Sequence, residues 1–432
     1  MFVRAASLLL LLSLSGAAGA RPGYADFPIE PVEIPPSIKQ GLDLIYIDPE
    51  IAPALRERDK LLKEIGIEDR LGSPVDLLLP LNPFYTDLRR GLTRYRADWG
   101  RLPQVQLPSG PVLKSGSKGE RVTALRERLG LGAGSTFDDA LARAVRGYQK
   151  VHGIKADGIA GGSTIASLNL GADHYERLLK INLERARRLP GTAEKGRYVL
   201  VDVGAARIYL FENGRVQDTM KAIVGKPGSA TPMMAALIRY ASVNPYWNVP
   251  PDLAKTLIAP RVVAEGLGHL RAERYEVLSD WTTDATVVDP GTIDWKAVAD
   301  GSTEIRVRQL PGRGNSMGDI KFMLPNEFGI YLHDTPDKSL FKTEERWISN
   351  GCVRVEDARK LATWLFGDMP KGSNPDREQD VDLAAPVPVY MSYLTAGATS
   401  EGVVFRKDRY DRDAEVLARY SMGGEKLAMA RD

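Results

Sequence analysis

Hydrophobic residues follow three successive patterns along the chain. Ala5 to Leu14 form a run of ten residues broken only by Ser7 and Ser13. Then comes helical spacing: Leu61, Leu62 and Ile65; Phe84, Tyr85, Leu88, Leu92 and Tyr95; Val122, Leu125 and Leu129; Leu141, Val145 and Tyr148, with Gly153 as the stop; Ile165, Leu168 and Leu170; and Leu178, Ile181 and Leu183, with Arg185 and Arg188 outward. At Arg197 the period switches to two. Tyr198–Val203 and Arg207–Phe211 read as strands joined to a third, Met220–Val224, through an Asn213-Gly214 hairpin turn. Ile330 and Leu332 alternate with Tyr331 and His333, which sets His333 near a strand end, and Pro386–Tyr393 is a late strand.

Between these strands, residues 244–320 are irregular. Asn244–Pro251 is a stiff aromatic turn and Leu253–Ala264 reads as a helix. So long a stretch within a β domain predicts an inserted subdomain, a place where lids occur. After Cys352, the positions Val355, Ala358, Ala362 and Leu365 trace a helix face. Cys352 is therefore expected on a strand-to-helix turn, where the helix dipole would favour a thiolate. The fold class is multidomain α+β: a mostly-β domain with a capping insertion, preceded by a small three-helix unit and a helical scaffold. The expected boundaries are a linker and helical scaffold over 21–110, the three-helix unit over 113–170, a connecting helix over 171–195, the β domain over 196–395 with its insertion at about 250–320, and a charged helical tail over 396–432.

The first run has the form of an export signal. Arg4 precedes it and Ala18-Gly19-Ala20 offers a cleavage site, so residues 1–20 are expected to be removed, leaving roughly 412. No cysteine follows the cleavage site to carry a lipid, and no other run reaches transmembrane length. A net charge of +2 without a polybasic cluster gives no electrostatic footprint for nucleic acid.

Export changes the weight of the single cysteine. An unpaired thiol in an oxidising compartment is exposed to oxidation, so its presence points to use. Cys352 and His333, one of four histidines, are a candidate nucleophile and base nineteen residues apart. Gly351 permits an unusual backbone angle, and the amides of Gly351 and Cys352 are candidate oxyanion donors. Arg354 is a candidate for a substrate carboxylate or for a loop-locking ion pair. Asn350 can shape the loop by hydrogen bonds, while Tyr331 and Trp347 are candidate groove residues. Four scattered histidines and one cysteine lack metal-ligand spacing, no phosphate loop or nucleotide fingerprint occurs, and no cofactor is expected. A papain-type hydrolase would place its cysteine before its histidine, on a long helix; here His333 comes first in a β context.

Two stretches resemble known families. Leu113–Leu168 is similar to the peptidoglycan-binding domain of wall enzymes, with the hallmark Asp157, Gly158, Gly161 and Thr164 preceded by Tyr148-Gln149. Thr164 is a candidate cap for the last helix. The chain over roughly 80–415 resembles the larger branch of the L,D-transpeptidases, the YkuD-type cysteine enzymes. The resemblance rests on Asn244–Pro250, Pro311–Gly318, Lys321–Asn326, Tyr331–Pro336 and Ser349–Val355. It departs from the short-form motif Ser-His-Gly-Cys at Asn350, which leaves the base role to His333. The resemblance implies peptidoglycan stem peptides and glycan strands as partners, inhibition by carbapenems, and a periplasmic, wall-associated location. It also implies acyl transfer from a stem tetrapeptide through a Cys352 thioester, releasing D-Ala and forming third-to-third cross-links. Water as acceptor would make the same site a carboxypeptidase, a protein acceptor would make it an attachment enzyme, and a vestigial site would leave a non-catalytic wall-binding scaffold.

Overall fold

The computed structural model describes residues 46–47, 82–191, 196–326, 328–400 and 402–418. The expected signal peptide, most of the 21–110 linker and scaffold including Leu61, Leu62 and Ile65, and the end of the tail lie outside these residues.

Helix α1 (Pro83–Asp98) starts where Pro83 needs no amide partner and the Asn82 side chain accepts the Tyr85 amide at 3.0 Å. It buries Leu88, Leu92 and Tyr95 against Leu179 and Leu183 of helix α5 (Ala172–Arg187). Between them, helices α2 (Glu120–Arg128), α3 (Asp139–Val151) and α4 (Gly162–Leu170) pack round Val122, Leu125, Leu141, Val145 and Leu168. Gln149 is the hub of the Asp-Gly turn. Its amide nitrogen donates to Asp157 Oδ1, the Ile159 carbonyl and Thr164 Oγ1, and its oxygen accepts the Gly158 amide at 2.8 Å. Thr164 is therefore not the cap of α4. It lies buried inside the helix, and Gly161 holds the cap position.

His152 joins the three-helix unit to its neighbours. Its ring stacks on Tyr148 with centroids 3.8 Å apart, Nε2 meets the Tyr95 hydroxyl at 3.0 Å and Nδ1 the Tyr148 carbonyl at 2.8 Å. Burial pushes its pKa down to about 3.

From Arg197 the strands are β2 (Arg197–Asp202), β3 (Arg207–Glu212), β4 (Arg215–Gly225) and β5 (Met234–Val243). The β3–β4 turn places Asn213 and Gly214 at φ +50° and +72°, as a type I′ hairpin requires. After the insertion come β10 (Ile320–Met323), β11 (Leu332–His333), β12 (Trp347–Ser349), β13 (Val353–Val355) and β14 (Gln379–Ser392). The order β5-β10-β11-β13-β4-β3-β2-β14 returns on itself, because β14 also pairs with β5. The sheet thus closes and leaves no open edge within the ring. A two-residue strand, β1 (Tyr46–Ile47), adds to β5, and β12 adds to β4. The interior holds Val199, Val201, Ile208, Ile238, Phe322, Leu332 and Val353. Helix α8 (Ala358–Phe366) adds Leu361 and Leu365.

The insertion has its own sheet, built from Trp247–Val249 (β6), Tyr275–Leu278 (β7), Val287–Val288 (β8) and Arg306–Gln309 (β9) in the order β6-β9-β7-β8. Its separate core contains Val249, Val277, Trp295, Val298 and Val307. Helices α6 (Ala259–Glu265) and α7 (Trp295–Asp300) pack there.

Three further expectations are corrected by the structure. Residues 396–405 are not helical: Ala396–Thr399 (β15) pairs with Gly402–Phe405 (β16) in a hairpin, and Ala396, Val403 and Phe405 are buried against α1 and α5. Their alternation was masked by the small residues of the first strand. Arg185 does not point outward; its guanidinium is buried and paired with Asp413 at 2.7 Å. Cys352 does not lead into a helix. It lies between β12 and β13, five residues and a further turn before α8 opens at its cap, Asp357. The helix dipole is therefore no part of the thiol's surroundings.

Candidate active site

The register of three strands assembles the site. In β11, His333 is the partner of Lys321 on β10 and of Arg354 on β13. The Val353 amide donates to the Tyr331 carbonyl at 3.1 Å, extending the ladder by one residue and bringing Tyr331 beside Cys352. Residues two apart on a strand share a face. Cys352, just before β13, and Arg354 within it thus run alongside Tyr331 and His333.

The loop carrying the thiol is held from behind. Gly351 has φ +119°, a conformation that disfavours any side chain. Ser349 Oγ accepts the Gly351 amide at 3.2 Å and donates to the Cys352 carbonyl at 2.6 Å. Thr231 Oγ1 donates to the Gly351 carbonyl at 2.6 Å and accepts the Gly225 amide at 2.9 Å. The Tyr410 hydroxyl donates to the Gly225 carbonyl at 2.6 Å. Of the two expected oxyanion donors, the Gly351 amide is therefore committed to Ser349. The Cys352 amide donates to no protein group among the described residues.

The pair is electrostatically neutral at rest. Burial is the main reason the His333 imidazole falls to about 3, helped by the charges of Arg354, Lys321 and Lys338. The ring has a hydrogen bond to the backbone of Asp334, while Nδ1 is buried without a protein partner. Nδ1 is the ring nitrogen without a protein partner, which makes it the candidate acceptor. Burial raises the Cys352 thiol above its usual value. Hydrogen bonds from Tyr331 and the charges of Arg354 and Lys321 work in the other direction. The sulfur lies 3.7 Å from the Gly329 carbonyl. A thiol with a neutral imidazole is the reverse of the imidazolium–thiolate pair of papain-type sites.

Tyr331 packs its ring against His333, with centroids 5.7 Å apart, and also against the core of the insertion. Arg354 is half-buried, its Nε has no partner, and it makes no ion pair among the described residues. Asn350 is half-buried on the same loop. Trp347 is not brought into this group. Its indole donates to the Val203 carbonyl at 2.9 Å and Arg409 covers its face at 4.4 Å, so it pins the start of the loop. Sequence reasoning missed Ser349 and Thr231 as loop supports and Lys321 as a neighbour of the base. Lys321 is placed by strand register, Ser349 and Thr231 by hydrogen bonds that close the loop, and neither leaves a mark in the residue pattern.

Residues 196–389 match the family model YkuD, the L,D-transpeptidase catalytic domain, and residues 119–168 match that of a "Putative peptidoglycan binding domain". The chain is similar to a "Putative L,D-transpeptidase" of Haemophilus influenzae, 30% identical over 247 residues. The match covers 55% of this chain and 48% of that protein, so the chain spans about half the length of this curated relative. An L,D-transpeptidase structure from Xylanimonas cellulosilytica is 16% identical, with a TM-score of 0.22, over 66% of this chain and 98% of its own. L,D-transpeptidase 3 from Mycobacterium tuberculosis, in complex with a faropenem-derived adduct, is 11% identical, with a TM-score of 0.23, over 45% of this chain and 60% of its own.

Proposed function

Taking residues 196–389 as a member of the L,D-transpeptidase catalytic-domain family and residues 119–168 as a peptidoglycan-binding module, we propose that the chain is an exported, cysteine-dependent transpeptidase of the cell wall. The observation that carries this reading is buried His333, whose Nδ1 has no protein partner, on the strand that pairs with β13 directly after Cys352.

In the proposed reaction Nδ1 of His333 takes the thiol proton as Sγ attacks the carbonyl of the third stem residue. The tetrahedral oxyanion accepts from the Cys352 amide, a contact worth about 3–4 kcal/mol in comparable sites. Collapse breaks the peptide bond. D-Ala leaves with the proton from His333, and the acyl group stays on sulfur as a thioester. An amine from a neighbouring stem then attacks the thioester, His333 takes its proton, and the thiol is restored. The product is a third-to-third cross-link. Arg354 supports recognition of a stem carboxylate, since its guanidinium is unpaired in a half-buried site. Tyr331 and Asn350 line the acceptor side of the thiol. Residues 119–168 hold the enzyme on the glycan mesh.

Incubation with defined tetrapeptide muropeptides tests the reading. Release of D-Ala with a cross-linked dimer is expected. D-Ala release with only tripeptide product would assign a carboxypeptidase. Absence of both, together with no mass adduct on Cys352 from a carbapenem, would leave a wall-binding scaffold.

A further inference from the structure

Lys321 lies where a lysine is costly. It is 7% exposed, in the first strand of a tightly packed trio, β10-β11-β13. Its ammonium is fixed by Glu378 Oε2 at 3.0 Å, reaches the Tyr246 carbonyl at 3.4 Å, and sits 5.8 Å from the centre of the Tyr331 ring. Glu378 is held in turn, accepting the Tyr246 amide at 2.6 Å. Buried ion pairs are poor stabilisers compared with apolar residues of the same volume. Stability alone is a weak reason for this one.

The strand register supplies a better reason. Lys321, His333 and Arg354 form one cross-strand row, and the charges of Arg354 and Lys321 both act on the imidazole. Paired residues of neighbouring strands share a face of the sheet. The charged groups acting on His333 are Lys321 from β10, Arg354 from β13 and Lys338 from the following turn, with the Tyr331 ring against it from its own strand; Arg354 and Lys321 act on Cys352 as well. Lys338 is partly neutralised by Asp334. Lys321 is tethered by Glu378 on a different segment, which holds its charge in one place, and the carboxylate of Asp380, two residues further on, also interacts with it.

We propose that Lys321 is a positioning residue for the acyl-transfer reaction: held by Glu378, its ammonium keeps His333 in the base form, favours the Cys352 thiolate as it forms, and orients the Tyr331 ring. The inference rests on the reading of His333 and Cys352 as base and nucleophile. It extends that reading to a pair, Lys321 and Glu378, outside the nucleophile loop. Glu378 also binds the entrance of the insertion through Tyr246, so the charge at the base is tied to the root of the cap.

The test is the pH profile of Cys352 alkylation by iodoacetamide in the full chain, which needs no wall substrate. Lys321→Met removes the cation and should move the profile to higher pH by roughly half a unit or more. Lys321→Arg should restore most of the wild-type profile. Glu378→Gln leaves the cation less neutralised and should move the profile to lower pH. Simple loosening of the site would move Lys321→Met and Glu378→Gln in the same direction. That result, or an unchanged profile in both, overturns the proposal. If Lys321→Met does not fold, Glu378→Gln decides: a downward shift supports it, and no shift or an upward one overturns it. With muropeptide, folded Lys321→Met should lose kcat while KM holds. Expected alkylation shifts without D-Ala release in wild type would sink the transpeptidase reading and leave the role of Lys321 standing.

Discussion

Ser349 donates its hydroxyl hydrogen to the carbonyl of Cys352 at 2.6 Å and accepts the Gly351 amide at 3.2 Å. One side chain thereby closes the turn that carries the nucleophile. Replacing it with alanine strands a buried amide and a buried carbonyl, at about 1–3 kcal/mol for each group left without water. Ser349→Ala should therefore lower the melting temperature of the β domain and reduce kcat by about tenfold or more, as expected when a reacting group is misplaced. Thiol titration in the folded state checks that the cysteine remains accessible. Full activity in Ser349→Ala would show that the turn holds without its hydroxyl.

Cys352→Ala should abolish both carbapenem adduct formation and D-Ala release. Binding to purified peptidoglycan should stay at the wild-type level, because residues 119–168 have a separate core built on Val122, Leu125, Leu141 and Leu168. Mass spectrometry and a sedimentation assay read the two effects independently. Cross-linking retained by Cys352→Ala would eliminate the thioester.

His333→Gln keeps a polar group of similar size on β11 but removes the proton acceptor. The alkylation rate of Cys352 near neutral pH should fall by about 10²-fold, the lower range for a positioned base. A rate equal to wild type from pH 6 to 9 would assign proton removal to some other group.

Much of this site could be read from the residues. Cys352, Gly351 and His333 stood out because a lone thiol would be unusual in a chain that its first residues lead one to expect is exported. The helical units were legible because Val122, Leu125, Leu141, Val145 and Leu168 keep a strict helical period. Other features were set by long-range partners. Thr231 reaches Gly351 across 120 residues, and Arg185 is buried because Asp413 meets it across 228. The hairpin at 396–405 is packed by α1, some three hundred residues earlier. The cysteine's strand-to-strand setting was hidden because Val355 and Ala358 fit both the end of β13 and a helix face.

Acid should destabilise the protein at two places. His152 and His333 are held neutral by burial, each at about 3, whereas an unfolded histidine titrates near 6.5. Between those values the unfolded chain binds more protons, so stability falls as pH falls from about 6.5 towards 3. The slope approaches about 1.4 kcal/mol per pH unit for each histidine. Melting curves from pH 7.5 to 4.5 should show this decline. His152→Gln should unfold more easily at pH 7.5 yet lose stability less steeply on acidification. An unchanged slope would mean that His152 is not what acid attacks in the helical region.

Arg354 is the partner of His333 across β11 and β13, and its guanidinium makes no close ion pair among the described residues, the charge of Asp337 acting on it only from a distance. A half-buried, unpaired cation is unfavourable unless something else compensates it, and a substrate carboxylate at the thiol would do so. Arg354→Lys retains the charge but loses the planar fork, so KM for a tetrapeptide donor should rise by about tenfold, the cost of one or two charge-assisted hydrogen bonds. Arg354→Gln should raise it further and also move Cys352 alkylation to higher pH, because this cation opposes the raised thiol value. Esterification of the donor's free carboxylates should raise KM for wild type and leave Arg354→Gln nearly unaffected. If the ester discriminates equally against both enzymes, Arg354 does not meet a carboxylate, and its charge acts only on the base and the thiol.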